Sequence, residues 1–195
     1  MDKISYALGL SIGNNFRSLG INHLQTEDFV KGVNDVLTDI KPEISYDQAK
    51  QIVNNYFTKL QGEREEINKQ AGIEFLNINK HRAGVIELPS GLQYEILKKG
   101  EGARPTASDK VRCHYHGTLI NGKVFDSSVE RDEPAVFGVS QVIPGWVEAL
   151  QLMETGAKWR LFIPSELAYG NRQAGEHIEP NSALIFDVEL LNIVK

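Results

Sequence analysis

Val111-Arg112-Cys113-His114-Tyr115-His116-Gly117-Thr118-Leu119-Ile120-Asn121-Gly122-Lys123-Val124-Phe125-Asp126 sets the character of the C-terminal half of this chain. Val111, Cys113, Tyr115, Gly117 and Leu119 alternate with Arg112, His114, His116 and Thr118. That period of two belongs to a strand with one buried face. Asn121-Gly122 follows as a hairpin signal, because both residues tolerate the positive φ of a type I′ turn. Working outward, strands are expected at residues 92–97, 123–126, 135–139, 159–163 and 183–194, with glycine- and proline-bearing turns between them. One short helix is expected at residues 146–153, after Pro144-Gly145. A sheet of about five strands wrapped on that helix is the simplest packing that buries every apolar face.

The pattern is different before residues 84–91. Ile4, Leu8, Ile12 and Phe16 recur at helical spacing, and Gly20 fits the end of that helix. A second helix carries Phe29, Val33, Val36, Leu37 and Ile40 and stops before Pro42. Ser45 with Gln48 three positions later is a capping-box signature. From there Ala49, Ile52, Val53, Tyr56, Phe57, Leu60, Ile67, Ala71, Phe75 and Ile78 mark one long helix reaching Arg82. Its length is about 57 Å at about 1.5 Å per residue. Two short helices and one long arm make a thin core, and such a domain usually needs a partner. The expected division is residues 1–44 as a helical dimerisation domain, 45–84 as a connecting helix and 85–195 as a β-rich domain. The competing arrangement folds the three helices back on the β-domain of a monomer.

The bulk composition narrows the class. The chain has 195 residues, 41% of them hydrophobic, and a net charge of −5. That charge disfavours nucleic acid or an anionic membrane as the main partner. No apolar run approaches the roughly 20 residues that span a bilayer. The N-terminus, MDKISYALGLSIGNNF, lacks a basic region followed by an apolar block and a cleavage site. The expected location is therefore the cytoplasm, or the periplasm if a signal peptide has been removed.

Familiar catalytic constellations are missing. Cys113 and the neighbouring histidines lie on opposite faces of their strand, so no thiol–imidazole dyad forms locally. His114 and His116 share a face, but two ligands without a third do not define a zinc site. No acid–base carboxylate pair and no phosphate-binding glycine loop stands out. What does stand out is a set of large apolar residues at strand edges and in loops: Tyr115, Phe125, Val142, Ile143, Trp146, Tyr169, Ile178 and Phe186. Asp126 closes an otherwise apolar strand, where a carboxylate is costly unless hydrogen-bonded.

Four segments occur in order: Val124-Phe125-Asp126-Ser127-Ser128, Val142-Ile143-Pro144-Gly145-Trp146, Ile163-Pro164-Ser165-Glu166-Leu167-Ala168-Tyr169-Gly170 and Phe186-Asp187-Val188-Glu189-Leu190-Leu191. Together they resemble the FKBP family of peptidyl-prolyl cis-trans isomerases over about residues 88–195. The helical arm and the junction Leu88-Pro89-Ser90-Gly91-Leu92-Gln93-Tyr94 are similar to the macrophage-infectivity-potentiator-like bacterial subgroup, whose members are V-shaped homodimers joined by their N-terminal helices.

The resemblance implies an α+β chain, with an N-terminal all-helical dimerisation domain, a long connecting helix and a half-open antiparallel sheet wrapped on a short helix. It implies isomerisation of X–Pro bonds in folding polypeptides, without cofactor or metal, and binding of the family's macrolide inhibitors. Trp146 would form the pocket floor, with Tyr115, Phe125, Val142, Ile143 and Phe186 as walls. The Ile143 backbone N–H and the Tyr169 hydroxyl would hydrogen-bond the ligand's carbonyls. Asp126 would face the twisting amide with Arg131 paired to it, and Ile178 would lie in an overhanging loop. Ala135 stands where many members carry an aromatic side chain, which implies a lower wall. The alternative function is a dimeric chaperone that uses the same groove to hold peptides.

Overall fold

A computed structural model describes residues 1–194. The chain divides into two compact units, one ending at Gly62 and the other beginning at Glu63.

The first unit is helical. Helix α1, Lys3–Ser18, is capped by Asp2, whose carboxylate accepts from the Ser5 N–H at 2.7 Å, and Gly20 follows at φ 82°. Helix α2 is Thr26–Leu37, shorter than the apolar pattern implied because Asp39 turns into the left-handed region at φ 53°. Helix α3, Tyr46–Asn79, begins in this unit with the expected capping box. The Gln48 N–H donates to Ser45 Oγ at 3.2 Å and the Ser45 N–H donates to Gln48 Oε1 at 3.0 Å. No residue of α1 or α2 is buried, and Leu8, Val30, Val33 and Val36 are all exposed.

The second unit holds seven antiparallel strands: β1 Val85–Glu87, β2 Gln93–Lys98, β3 Lys110–Leu119, β4 Val124–Ser127, β5 Ala135–Gly138, β6 Lys158–Ile163 and β7 Leu184–Val194. They run in the order β1-β2-β6-β7-β3-β4, with β5 also pairing to β3. The sheet does not close on itself. Alternation places Val111, Cys113 and Tyr115 of β3 and Leu184, Phe186, Val188 and Leu190 of β7 inside. Helix α4, Pro144–Leu152, packs Trp146, Ala149 and Leu150 against that face. Pro144 opens it at a position where its missing N–H costs nothing.

Three differences from the sequence reading have local causes. The sheet has seven strands rather than about five: all six of the expected segments join it, and β1 is added as a three-residue strand that exists only through its pairing with β2. The β3–β4 hairpin does not use a type I′ turn. Only Gly122 takes positive φ, at 84°, while the Gly122 N–H donates to the Leu119 carbonyl at 2.9 Å. The loop is thus one residue longer, with glycine in the left-handed position. Helix α3 ends at Asn79 rather than Arg82: the Arg82 N–H donates to the Asn79 carbonyl at 2.9 Å in a tighter turn, and the buried Asn79 side-chain amide donates to Gln93 Oε1 at 2.8 Å. On the same side, Phe75 of α3 packs on Phe162 of β6 at 6.0 Å between ring centroids.

Candidate active site

The inward face of β3 and β7 is lined with rings, and one position has to stay empty for them to fit. A Cβ on Gly117 would stand 2.7 Å from the Phe125 ring and 2.8 Å from the Phe186 ring. Glycine there lets Phe125 and Phe186 meet edge to face at 5.3 Å. The Trp146 indole, from the first turn of α4, lies edge to face with Tyr115, Phe137 and Phe186 at 5.6, 5.6 and 5.2 Å. Its buried Nε1–H has no hydrogen-bond partner among the described residues.

These rings floor a cavity of about 710 Å³. Tyr115, Phe125, Asp126, Val142, Ile143, Trp146, Tyr169, Ile178 and Phe186 all line it. Arg131 does not line it, and reaches the site from behind, through Asp126 and Tyr115. The sequence reading did not select Phe137, Gln141, Arg172 or Glu176, which also line the cavity. Ala135 is not part of the lining, and Phe137, two residues along on the same strand face, is.

At one edge of the cavity the Tyr115 hydroxyl donates to Asp126 Oδ2 at 2.5 Å. Arg131 donates to Asp126 Oδ1 and, through Nη2, to the Tyr115 hydroxyl at 3.0 Å. Burial works against the charge on Asp126, but the hydrogen bonds from Tyr115 and Arg131 outweigh it and hold the carboxyl below its ordinary value. Burial, and then its bond to Asp126, push the Tyr115 hydroxyl up. Both carboxylate oxygens are therefore occupied. Asp126 is a fixed negative charge, not a base awaiting a proton.

The strap that returns Arg131 to Asp126 is pinned by two buried serines. Ser127 Oγ accepts from the Glu130 N–H at 3.2 Å, and Ser128 Oγ accepts from the Tyr115 N–H at 2.7 Å. On the outer side His116 and His114 are hydrogen-bonded to these hydroxyls at 3.0 and 3.1 Å. Both histidines are half-buried props. Cys113 is buried, and burial pushes its thiol up to about 12. Among the described residues no group of three metal-ligating side chains converges.

At the opposite edge, Ile143 immediately precedes α4 with extended backbone, φ −60° and ψ 149°. Its carbonyl accepts from Trp146 and Val147, while its N–H donates to no protein group among the described residues. The Tyr169 hydroxyl likewise makes no hydrogen bond to the protein among the described residues, although both residues line the cavity. An apolar cup with two free donors and one fixed anion at its rim suits a neutral, carbonyl-bearing ligand. It offers no nucleophile.

Comparison with known proteins agrees with this geometry. Residues 101–191 match the family profile described as FKBP-type peptidyl-prolyl cis-trans isomerase. Residues 1–96 match the domain amino-terminal to FKBP-type peptidyl-prolyl isomerase. The chain belongs to the FKBP-type peptidyl-prolyl cis-trans isomerases, and its activity is rotation of X–Pro bonds. Within the family it falls in the bacterial subgroup that joins this catalytic fold to a helical N-terminal region. It is 44% identical to the FKBP-type 22 kDa peptidyl-prolyl cis-trans isomerase of Escherichia coli, over 97% of this chain and 94% of that one. It is 43% identical to the outer membrane protein MIP of Legionella longbeachae, over 100% of this chain and 86% of that one. The crystal structure of FkpA from Escherichia coli superposes with a TM-score of 0.79 at 36% identity, covering 98% of this chain and 95% of that one.

These relatives overturn the expected cytoplasmic location. The Legionella protein that matches along the whole chain is an outer membrane protein by name. The cytoplasmic reading had only the composition of the first residues behind it, and a trimmed chain would look the same. Among the described residues no helix is long and apolar enough to cross a membrane.

Proposed function

We propose that the prolyl ring of the substrate sits on the Trp146 indole, walled by Tyr115, Phe125, Val142, Ile143 and Phe186, with Ile178 above it. The Ile143 N–H and the Tyr169 hydroxyl hydrogen-bond the peptide's carbonyls, and Asp126, held by Arg131, faces the rotating amide. The observation that carries this reading is the pair of donors left without protein acceptors on the rim of a ring-lined cavity.

Rotation about an X–Pro bond is slow because it sacrifices amide resonance, a barrier of about 18–20 kcal/mol. No covalent bond breaks. A planar amide is more dipolar than a twisted one and is better solvated by water. An apolar cup therefore favours the twisted form relative to the flat one. A difference of about 4 kcal/mol between the two gives roughly a thousandfold acceleration. The fixed donors add selectivity for the twisted form only if they meet its carbonyls better than those of the ground state.

The Tyr169→Phe variant tests the site. Losing one neutral hydrogen bond, about 0.5–1.5 kcal/mol, lowers kcat/KM for a prolyl tetrapeptide by about 3–10-fold while the circular dichroism stays unchanged. An unaltered kcat/KM would remove Tyr169 from the site.

The family's macrolide inhibitors would compete for the same cup. The functional division follows the sequence boundaries: residues 1–44 for pairing, 45–84 as the connecting helix and 85–195 for catalysis. Pairing of two copies through the N-terminal helices is supported by α1 and α2, neither of which buries a single residue. The expected solution mass is twice 21.8 kDa by sedimentation, and a monomer mass would rule pairing out. Two cups on one dimer would hold an unfolded chain at two prolines and raise its avidity, the chaperone reading of the same groove.

A further inference from the structure

We propose that Asn68, on helix α3, is a positioning residue for the isomerase site: it anchors the loop that forms the cavity's outer wall and thereby sets how tightly a prolyl peptide is held. The inference rests on the cavity being the substrate site. It adds a part of the machinery that lies outside the catalytic fold's own sheet and short helix.

Residues 172–178 contribute Arg172, Glu176, His177 and Ile178 to the cavity lining. The end of this loop is a small hairpin. The Ala174 N–H donates to the Ile178 carbonyl at 2.9 Å and the Ile178 N–H donates back to Ala174 at 3.2 Å. A hairpin this short moves as a unit, so its location depends on what holds its two ends. One end runs back to Tyr169, whose carbonyl accepts from the Arg172 N–H at 3.2 Å. The other end leads through Glu179, Pro180 and Asn181 to Ala183, and the sheet does not take up the chain until β7 starts at Leu184.

That segment is held by α3. The Asn68 side-chain amide donates to Glu179 Oε2 at 3.2 Å and to the Pro180 carbonyl at 3.1 Å. Arg64, one helical turn earlier, pairs with Glu179 at 3.6 Å. One turn later Gly72 leaves room for Ala183, whose Cβ would lie 3.1 Å from a Cβ added there. Asn181, at φ 59°, donates its backbone N–H to the Gly170 carbonyl at 2.7 Å. Gly170 is the residue after Tyr169. The segment gripped by α3 thus adjoins Ile178 on the wall and is bonded to the chain beside the Tyr169 donor.

Asparagine suits the position because one short amide supplies two N–H groups to two consecutive residues. Aspartate has the same shape but only acceptors. It would set a carboxylate against the Glu179 carboxylate and the Pro180 carbonyl, turning each attraction into a repulsion. A purely structural helix contact would make alanine and aspartate equivalent in catalysis. A positioning role does not.

The experiment measures kcat and KM separately on the full-length protein, by NMR exchange with a prolyl tetrapeptide. Asn68→Ala is expected to raise KM about threefold and Asn68→Asp about tenfold, with kcat changed less than about twofold. Adding Glu179→Gln to Asn68→Asp reverses donor and acceptor at residue 179 but leaves the Pro180 carbonyl facing the carboxylate, and is expected to restore part of the lost affinity. Ile67→Ala, on an exposed part of the same helix, leaves both constants unchanged. The proposal is overturned if folded Asn68→Asp keeps the wild-type KM, or if Glu179→Gln brings no recovery. Should Tyr169→Phe and Asp126→Ala also be silent, the site itself has been misplaced. Should those two act while Asn68→Asp does not, only the role of α3 fails.

Discussion

Replacing Asp126 by alanine lowers kcat/KM for a prolyl tetrapeptide by about 10–100-fold, equivalent to about 1.4–2.8 kcal/mol of transition-state stabilisation. The size follows from what the carboxylate holds. It accepts from the Tyr115 hydroxyl and from Arg131, and those two are bonded to each other. Removing it leaves a guanidinium and a phenol at the mouth of an apolar cup with no counter-charge. Asp126→Asn separates charge from shape, because the amide oxygen can still accept from Tyr115 while the anion is gone. The pH profile gives a second readout. The carboxyl lies below its ordinary value, burial opposing its charge but Tyr115 and Arg131 prevailing. A depressed folded pKa contributes stability that is present above the unfolded value, about 3.9, and is lost as pH falls through the folded one. Activity is therefore level from neutral pH down to about pH 5 and declines only in stronger acid. The decline is absent in Asp126→Asn.

Trp146→Ala has the largest effect on stability. The indole is 4% exposed and is flanked by the rings of Tyr115, Phe137 and Phe186. Deleting it opens a void that such stiff neighbours fill poorly, at about 3–5 kcal/mol. Urea unfolding is expected to show a lower midpoint with an unchanged slope. If the alanine variant does not fold, Trp146→Phe keeps an apolar floor and retains the fold. Peptide affinity still falls, because the smaller ring leaves the proline without its full contact. A wild-type midpoint for Trp146→Ala would mean that the floor carries no packing.

The strands and the four ordered motifs could be read from the sequence because alternation and turn residues are local. The hydrogen-bonding of Asp126 was likewise foreseeable, since a carboxylate at the end of an apolar strand needs partners. Other features depend on contacts distant in sequence. Val85-Ile86-Glu87 is too short to show a period, and becomes β1 only through its register with Gln93-Tyr94-Glu95. Phe137 reads as one more strand aromatic until Tyr115 and Trp146 are placed beside it. Glu176 and His177 sit on a loop whose course is set by Asn68, more than a hundred residues earlier. Helical periodicity places Phe75 and Asn79 on α3 but says nothing of Phe162 and Gln93, against which they pack.

The most direct test compares two ligands of equal length, one with a planar acyl-proline amide and one whose neighbouring carbonyl is held out of the amide plane. A site shaped for a rotated prolyl bond should bind the second at least about a hundredfold more tightly by calorimetry. That preference should shrink in Tyr169→Phe. Equal affinity for the flat and the twisted ligand would contradict the account.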